Sequence, residues 1–177
     1  MRINSITPAV CFGLALFAAC LSISTQAQPT RITRDTIFST EGILLQGDDR
    51  LSTPGIFQPP VDITIVAKTD STNIRIAYAA DQVIFNWENN MDELRVDGGP
   101  ADGLHRAGAG RIPTGKYVAI RWVVTSKGQA IYVDNELRFQ HEGDYSGVKR
   151  CVSVFPGFDS KVTVKSISVR PGSPPRK

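Results

Sequence analysis

An all-β sandwich is the fold class predicted by three features of the 177-residue sequence. Apolar side chains recur at every second position in short runs, Gly, Pro, Asn and Asp punctuate those runs, and no long run repeats with a helical period. The clearest block is residues 116–148. Val118, Ile120, Trp122 and Val124 alternate with Ala119, Arg121, Val123 and Thr125, which sends successive side chains to opposite faces of a sheet. Lys127-Gly128 then turns the chain, and residues 129–133 form a second strand. Asp134-Asn135 tolerates the positive φ of a tight hairpin, and residues 136–140 form a third strand. Together these three make a meander.

The remaining elements follow in order. Residues 28–35 read as a short polar leader, 36–45 as a strand interrupted near Gly42, and 46–60 as a loop in which Asp48-Asp49 are turn carboxylates rather than calcium ligands. Residues 61–68 form a strand, with 73–79 as its partner across the 69–72 turn. Residues 83–88 and 93–97 form the next pair. Val83, Phe85 and Trp87 fall on one face with Leu94 and Val96 opposite, while Asn86 and Glu88 point the other way with Glu93, Arg95 and Asp97. Residues 98–114 form a glycine-rich loop whose length suggests a role in function, with His105 at its middle as a ligand contact or a solvated histidine. No Gly-Lys-Ser/Thr follows Gly108-Ala109-Gly110, so a phosphate cradle is not expected. Residues 149–155 and 161–169 are the last strands, and the basic, proline-rich tail at 170–177 is not expected to continue a sheet. One domain over residues 36–169 accounts for the pattern.

Residues 1–27 have the layout of a secretory signal. A single charge, Arg2, precedes an apolar run at 9–21 and then Ser22, Ser24, Thr25 and Ala27, which predicts cleavage near Ala27 and a secreted or periplasmic protein. The alternative is a lipoprotein anchored through Cys20, because Phe17-Ala18-Ala19-Cys20 resembles a lipobox. No transmembrane helix is expected in the mature chain. Cleavage leaves Cys151 as the only cysteine, expected to be a small buried hydrophobe, so the domain must rest on its apolar core. The net charge of the whole chain is +3, with basic residues scattered among carboxylates, which is not the footprint of a nucleic-acid binder.

The strand holding Trp122, the short turn, Ile131-Tyr132-Val133-Asp134-Asn135 and the late alternating strand at 162–169 resemble the concanavalin A-like lectin/glucanase superfamily, particularly its laminin G-like members. Asn135 stands where that pattern more often has Gly. The resemblance implies a jelly-roll β-sandwich of two antiparallel sheets and a function divided between sugar binding and glycoside hydrolysis. Glucanases of this fold resemble one another in an E-x-D-x-x-E or E-x-D-x-E strand, and this sequence has none. Glu93 and Asp97 share a strand face but stand roughly 13 Å apart, too far for paired carboxylate chemistry. The sequence therefore reads as a non-catalytic, lectin-like carbohydrate-binding domain. The alternatives are a hydrolase using Glu88, Glu93 or Asp97, and a structural or adhesive envelope module. Parity brings Arg75, Asn86, Glu88, Glu93, Arg95, Asp97 and Arg121 onto one polar surface if their strands are neighbours, with His105 from the loop as a further ligand contact. No cofactor or metal is expected, and the expected partner is a carbohydrate or another extracytoplasmic ligand. Trp87 and Trp122 are expected in the core, and Tyr145 is the expected exposed aromatic.

Overall fold

The computed structural model describes residues 30–172. The expected signal segment, its expected cleavage site near Ala27, Cys20 and tail residues 173–177 lie outside the described residues. The strands in chain order are β1 (Arg31–Ile32), β2 (Thr36–Gln46), β3 (Leu51–Ser52), β4 (Val61–Thr69), β5 (Ile74–Ala77) and β6 (Gln82–Phe85). They continue as β7 (Arg95–Asp97), β8 (Val118–Thr125), β9 (Gly128–Val133), β10 (Glu136–Glu142), β11 (Ser153–Phe155) and β12 (Lys161–Pro171). The only helical element among the described residues is a single 3-10 turn, Gly99–Ala101.

Two sheets form from these strands, and every pairing is antiparallel. The seven-stranded sheet has the order β1-β2-β12-β4-β8-β9-β10, and the five-stranded sheet has the order β3-β11-β5-β6-β7. The predicted all-β jelly-roll sandwich is thus the fold observed. Its core lies where the alternation aims it. Ile63, Ile65, Ile120, Trp122, Ile131 and Ile167 come inward from the larger sheet, and Ile74, Ile76, Val83, Phe85, Val96 and Val154 meet them from the smaller. Trp122 is buried as expected, donates its indole N–H to Gln129 at 2.7 Å, and lies edge-on to Tyr78 with ring centroids 6.2 Å apart.

The predicted meander is β8-β9-β10, and Asp134 and Asn135 take φ values of 48° and 70° at its second turn. The interruption at Gly42 is a β-bulge. Gly42 has φ +88°, the β2–β12 register shifts between Val164 and Ser166, and a Cβ at Gly42 would lie 2.6 Å from the Thr163 methyl.

Expectations of three kinds, on strand pairing, on the chain ends and on Tyr145, are corrected. The 61–68 and 73–79 strands do not pair. β4 lies between β12 and β8 in one sheet and β5 lies between β11 and β6 in the other, so the 69–72 turn crosses the sandwich rather than closing a hairpin. Alternation alone cannot tell the two apart. Second, the sheet does continue past residue 169: Arg170 and Pro171 pair with Asp62 and Val61. The missing proline N–H costs nothing at a strand end, and Gly172 takes over by donating to the Pro60 carbonyl at 2.8 Å. Likewise Arg31 and Ile32 in the predicted leader pair with Phe38 and Ile37 as a two-residue edge strand.

Third, Tyr145 is fully buried, its hydroxyl 2.7 Å from His141 Nδ1. Burial pushes the Tyr145 hydroxyl up to about 12 and raises Tyr78 as well, whose hydroxyl has no partner. A folded-state value above the ordinary value of about 10 means that ionisation favours the unfolded chain. The stability these neutral tyrosines lend is complete below pH 10 and is lost as pH rises from 10 through 12. Urea midpoints measured across this range should hold steady and then fall, and Tyr145→Phe should make the fall shallower.

Candidate functional site

The outer face of the five-stranded sheet collects the polar groups that the sequence singled out, together with several it did not. Cross-strand register sorts them into two rows. Ser52, Ser153 and Ala77 line up on β3, β11 and β5, and Gln82 and Asp97 extend the row across β6 and β7. Phe155, Arg75, Ile84 and Arg95 form the second row. Directly opposed residues share a face, so these side chains converge.

A hydrogen-bonded network runs along both rows. Arg75 donates Nη1–H to Gln82 Oε1 at 3.3 Å, and Gln82 donates Nε2–H to Asp97 Oδ2 at 2.9 Å. The other Asp97 oxygen accepts from Arg95 Nη2 at 3.1 Å. His105 reaches the same cluster: its Nδ1 accepts from the Val96 amide at 3.3 Å and its Nε2 lies 3.9 Å from Asp97 Oδ1. Glu88 Oε2 stands 3.7 Å from Arg75 Nη2 and has no hydrogen bond, and Arg95 Nε is likewise buried without a partner. Arg75, Glu88, Arg95, Asp97 and His105 are therefore brought together as predicted.

Asn86 is not part of the exposed face. It is fully buried with φ +50° and uses every polar group it has. Its amide donates to the Gly110 carbonyl at 3.0 Å, and its own carbonyl accepts from the Asn73 amide at 2.9 Å. Its side chain donates to the carbonyls of Ile112 and Ser71 and accepts the Ile112 amide at 2.8 Å. The left-handed backbone ends the alternation after Phe85, so parity fails at this point.

Trp87 consequently leaves the core, contrary to expectation, and lies half-buried with the Arg95 guanidinium 4.2 Å from its ring centroid. Glu93, expected on the same polar surface, precedes β7 and makes no ion pair among the described residues. Arg121 belongs to the other sheet altogether. It lies exposed on the outer face of the seven-stranded sheet and forms a two-pronged ion pair with Asp62, its Nη2 2.6 Å from Asp62 Oδ2. The sheet order separates it from Arg75 by the thickness of the sandwich.

Four contributors were missed. Gln82 bridges Arg75 and Asp97, and extending the β6 parity one residue upstream would have found it. Asn73, buried with φ +54°, accepts from Arg75 Nε and Nη2 and fixes the guanidinium. Phe155 carries the Arg50 guanidinium 3.7 Å above its ring. Phe158, 68 % exposed with φ +51°, projects beside Arg75, whose guanidinium is 5.3 Å from the ring. A large aromatic inside Pro156-Gly157-Phe158-Asp159 was the available signal for the last. Gly157 packs directly on the Arg75 guanidinium, where a side chain would not fit. Cys151 is half-buried rather than buried, its sulfur 3.8 Å from Ser153 Oγ. No cluster of three or more His, Cys, Asp or Glu occurs among the described residues, and no helix there is long and apolar enough to cross a membrane.

Asn86→Ala should lower stability by about 2–4 kcal/mol, because it orphans buried groups of Ile112 and Ser71. Gly110→Ala should also destabilise, since its Cβ would collide with the Glu93 backbone. Denaturant midpoints at unchanged slope test both.

No protein-family model matches the sequence, and no curated protein matches it. Solved structures do resemble it. The galectin LEC-6 of Caenorhabditis elegans superposes with a TM-score of 0.52 at 12 % identity, covering 77 % of this chain and 96 % of that one. The endo-β-1,3-glucanase of Pyrococcus furiosus gives 0.52 at 13 % identity over 76 % of each chain. The β-glucanase of Bacillus licheniformis gives 0.55 at 6 % identity, covering 80 % of this chain and 87 % of that one. The chain has the concanavalin A-like jelly-roll fold shared by this galectin and these two glucanases.

Proposed function

We propose that this is an exported, non-catalytic carbohydrate-binding domain that holds its ligand on the outer face of the five-stranded sheet. The observation that carries the proposal is the Arg75–Gln82–Asp97–Arg95 network, flanked by Trp87 and the exposed ring of Phe158. Planar guanidinium, amide and carboxylate groups offer the paired donors and acceptors that sugar hydroxyls require, and an exposed aromatic edge suits the apolar face of a pyranose. The fold supports the reading, since similar structures include a galectin and two glucanases. Export rests on the signal-like amino terminus.

The face's own composition supports binding over hydrolysis. Retaining glycosidases place two carboxyl groups about 5 Å apart, and inverting ones about 6.5–9.5 Å. Strand positions on this face supply one carboxylate, Asp97, whose cross-strand neighbour is Gln82. Glu88 comes from beyond the end of β6 and is directed at Arg75.

A panel of neutral and acidic polysaccharides, scored for both retention and new reducing ends, tests the proposal. Retention without reducing-end release is expected, and Arg75→Ala and Trp87→Ala should each weaken it about tenfold. Release of reducing sugar that disappears in Glu88→Gln would establish the hydrolase instead.

A further inference from the structure

A cleft opens at one end of the sandwich. It encloses about 570 Å³, within the range of ligand sites, and is walled by Arg34 and Asp35 just before β2, the segment around Ile56 to Val61, Lys149 and the end of β12. Phe57, Pro60, Val61 and Val169 give it apolar lining, and Ile56, which also lines it, is 56 % exposed. Three cations, Arg34, Lys149 and Arg170, line it.

Eleven of the described Lys and Arg residues have no carboxylate within ion-pair distance, and three of these eleven share this one cleft. Arg75, Arg95, Arg111, Arg121, Arg138 and Arg150 each have a carboxylate within ion-pair distance. Arg34, Lys149 and Arg170 have none among the described residues. Arg170 faces Asp62 across the ladder, but that carboxylate is held by Arg121 at 2.6 Å. The one acid in the cleft, Asp35, is ionised and leaves the three cations in excess by two charges. Its Oδ1 accepts from Thr33 Oγ1 at 3.0 Å and from Thr36 Oγ1 at 3.4 Å, and the Thr33 bond holds it below the usual carboxylate range.

The cleft is also joined to the sheet face. Ile56 borders it on one side and on the other borders a hollow of about 440 Å³ lined by Arg50, Ala77, Asp81, Arg150, Cys151 and Ser153, in which Asp81 is paired with Arg150. Ala77 and Ser153 belong to the first row of the polar face. A track therefore runs from Gln82 over Ser153 and past Arg50 and the Arg150–Asp81 pair to Ile56, and ends in a cleft with three cations and one carboxylate. A neutral sugar chain would leave those cations unmatched.

We infer that the end cleft is an anion-binding subsite that takes a carboxylate-bearing sugar unit of a chain lying along the five-stranded sheet, so that the ligand is an acidic polysaccharide. This rests on the sugar-binding reading above and specifies its ligand. The carboxylate would sit between Arg34 and Lys149, with the sugar's apolar edge over Phe57 and Pro60.

Titration with oligogalacturonate and with its fully methyl-esterified form, identical in backbone but neutral, tests the inference. The wild-type protein should bind the acid form about tenfold more tightly, a preference that shrinks as salt screens the cations. The double variant Arg34→Ala/Lys149→Ala should bind both forms equally. Arg75→Ala should weaken both forms alike, so failure of that arm alone would remove the sheet-face reading and leave the cleft standing. Equal wild-type binding of the two forms, absence of acid-form binding, or a preference that survives the double substitution would each overturn the subsite. So would binding to phosphatidylglycerol vesicles that depends on the same two cations without any preference for oligogalacturonate, which would assign the cleft to a membrane surface.

Discussion

Asn86 is the residue on which the arrangement of the polar face depends. A strand that enters the five-stranded sheet as Gln82-Val83-Ile84-Phe85 would, by simple alternation, carry Trp87 into the core and leave Asn86 in solvent. The left-handed turn at Asn86 reverses this, and it is held because every donor and acceptor of the residue is satisfied in the interior. A buried amide with all partners in place is stable, whereas one missing partner leaves a penalty with no solvent to relieve it. The same residue fastens three otherwise separate segments. Gly110 and Ile112 of the glycine-rich loop, the Ser71 turn between the sheets, and Asn73 at the entry to β5 all bond to it. Asn73 in turn fixes the Arg75 guanidinium, so the position of the central cation on the face traces back to Asn86.

The glycine-rich loop is explained by this clamp more than by direct contact with a ligand. Its residues 109–112 run across the end of the β6–β7 pair, with Ala109 and Ile112 buried and Gly110 lying against the backbone of Glu93. Of the loop, only His105 approaches the polar network, and it does so by accepting the Val96 amide. The loop thus caps an edge of the small sheet, and its glycines supply close approach and positive φ where a side chain would not fit.

Charge is distributed unevenly over the two faces. On the outer face of the seven-stranded sheet, Arg121 and Asp62 neutralise one another. On the five-stranded sheet the arginines are oriented by Asn73, Gln82, Glu88 and Asp97, each guanidinium also resting against an aromatic ring. Such groups have little rotamer freedom left to lose when a ligand binds, which favours recognition by a preformed surface. The end cleft differs from both, because its cations have neither carboxylate nor ring to organise them.

The all-β class, the meander, the bulge at Gly42, the buried Trp122 and most of the core were legible from the sequence. Two-residue periodicity and turn chemistry are local properties that the chain writes directly. The hairpin of β6 and β7, and the presence of Arg75, Arg95 and Asp97 on one face, followed from the same parity. The tertiary structure alone decided which strands are neighbours. The 69–72 segment has the composition of a hairpin turn, yet it crosses between sheets because β4 already has partners on both edges, and for the same reason Arg121 ended on the opposite side of the sandwich from Arg75. It also decided where parity breaks: the reversal at Asn86 depends on carbonyls of Ser71 and Ile112 that are distant in sequence, and only their meeting in space makes a left-handed, buried asparagine stable.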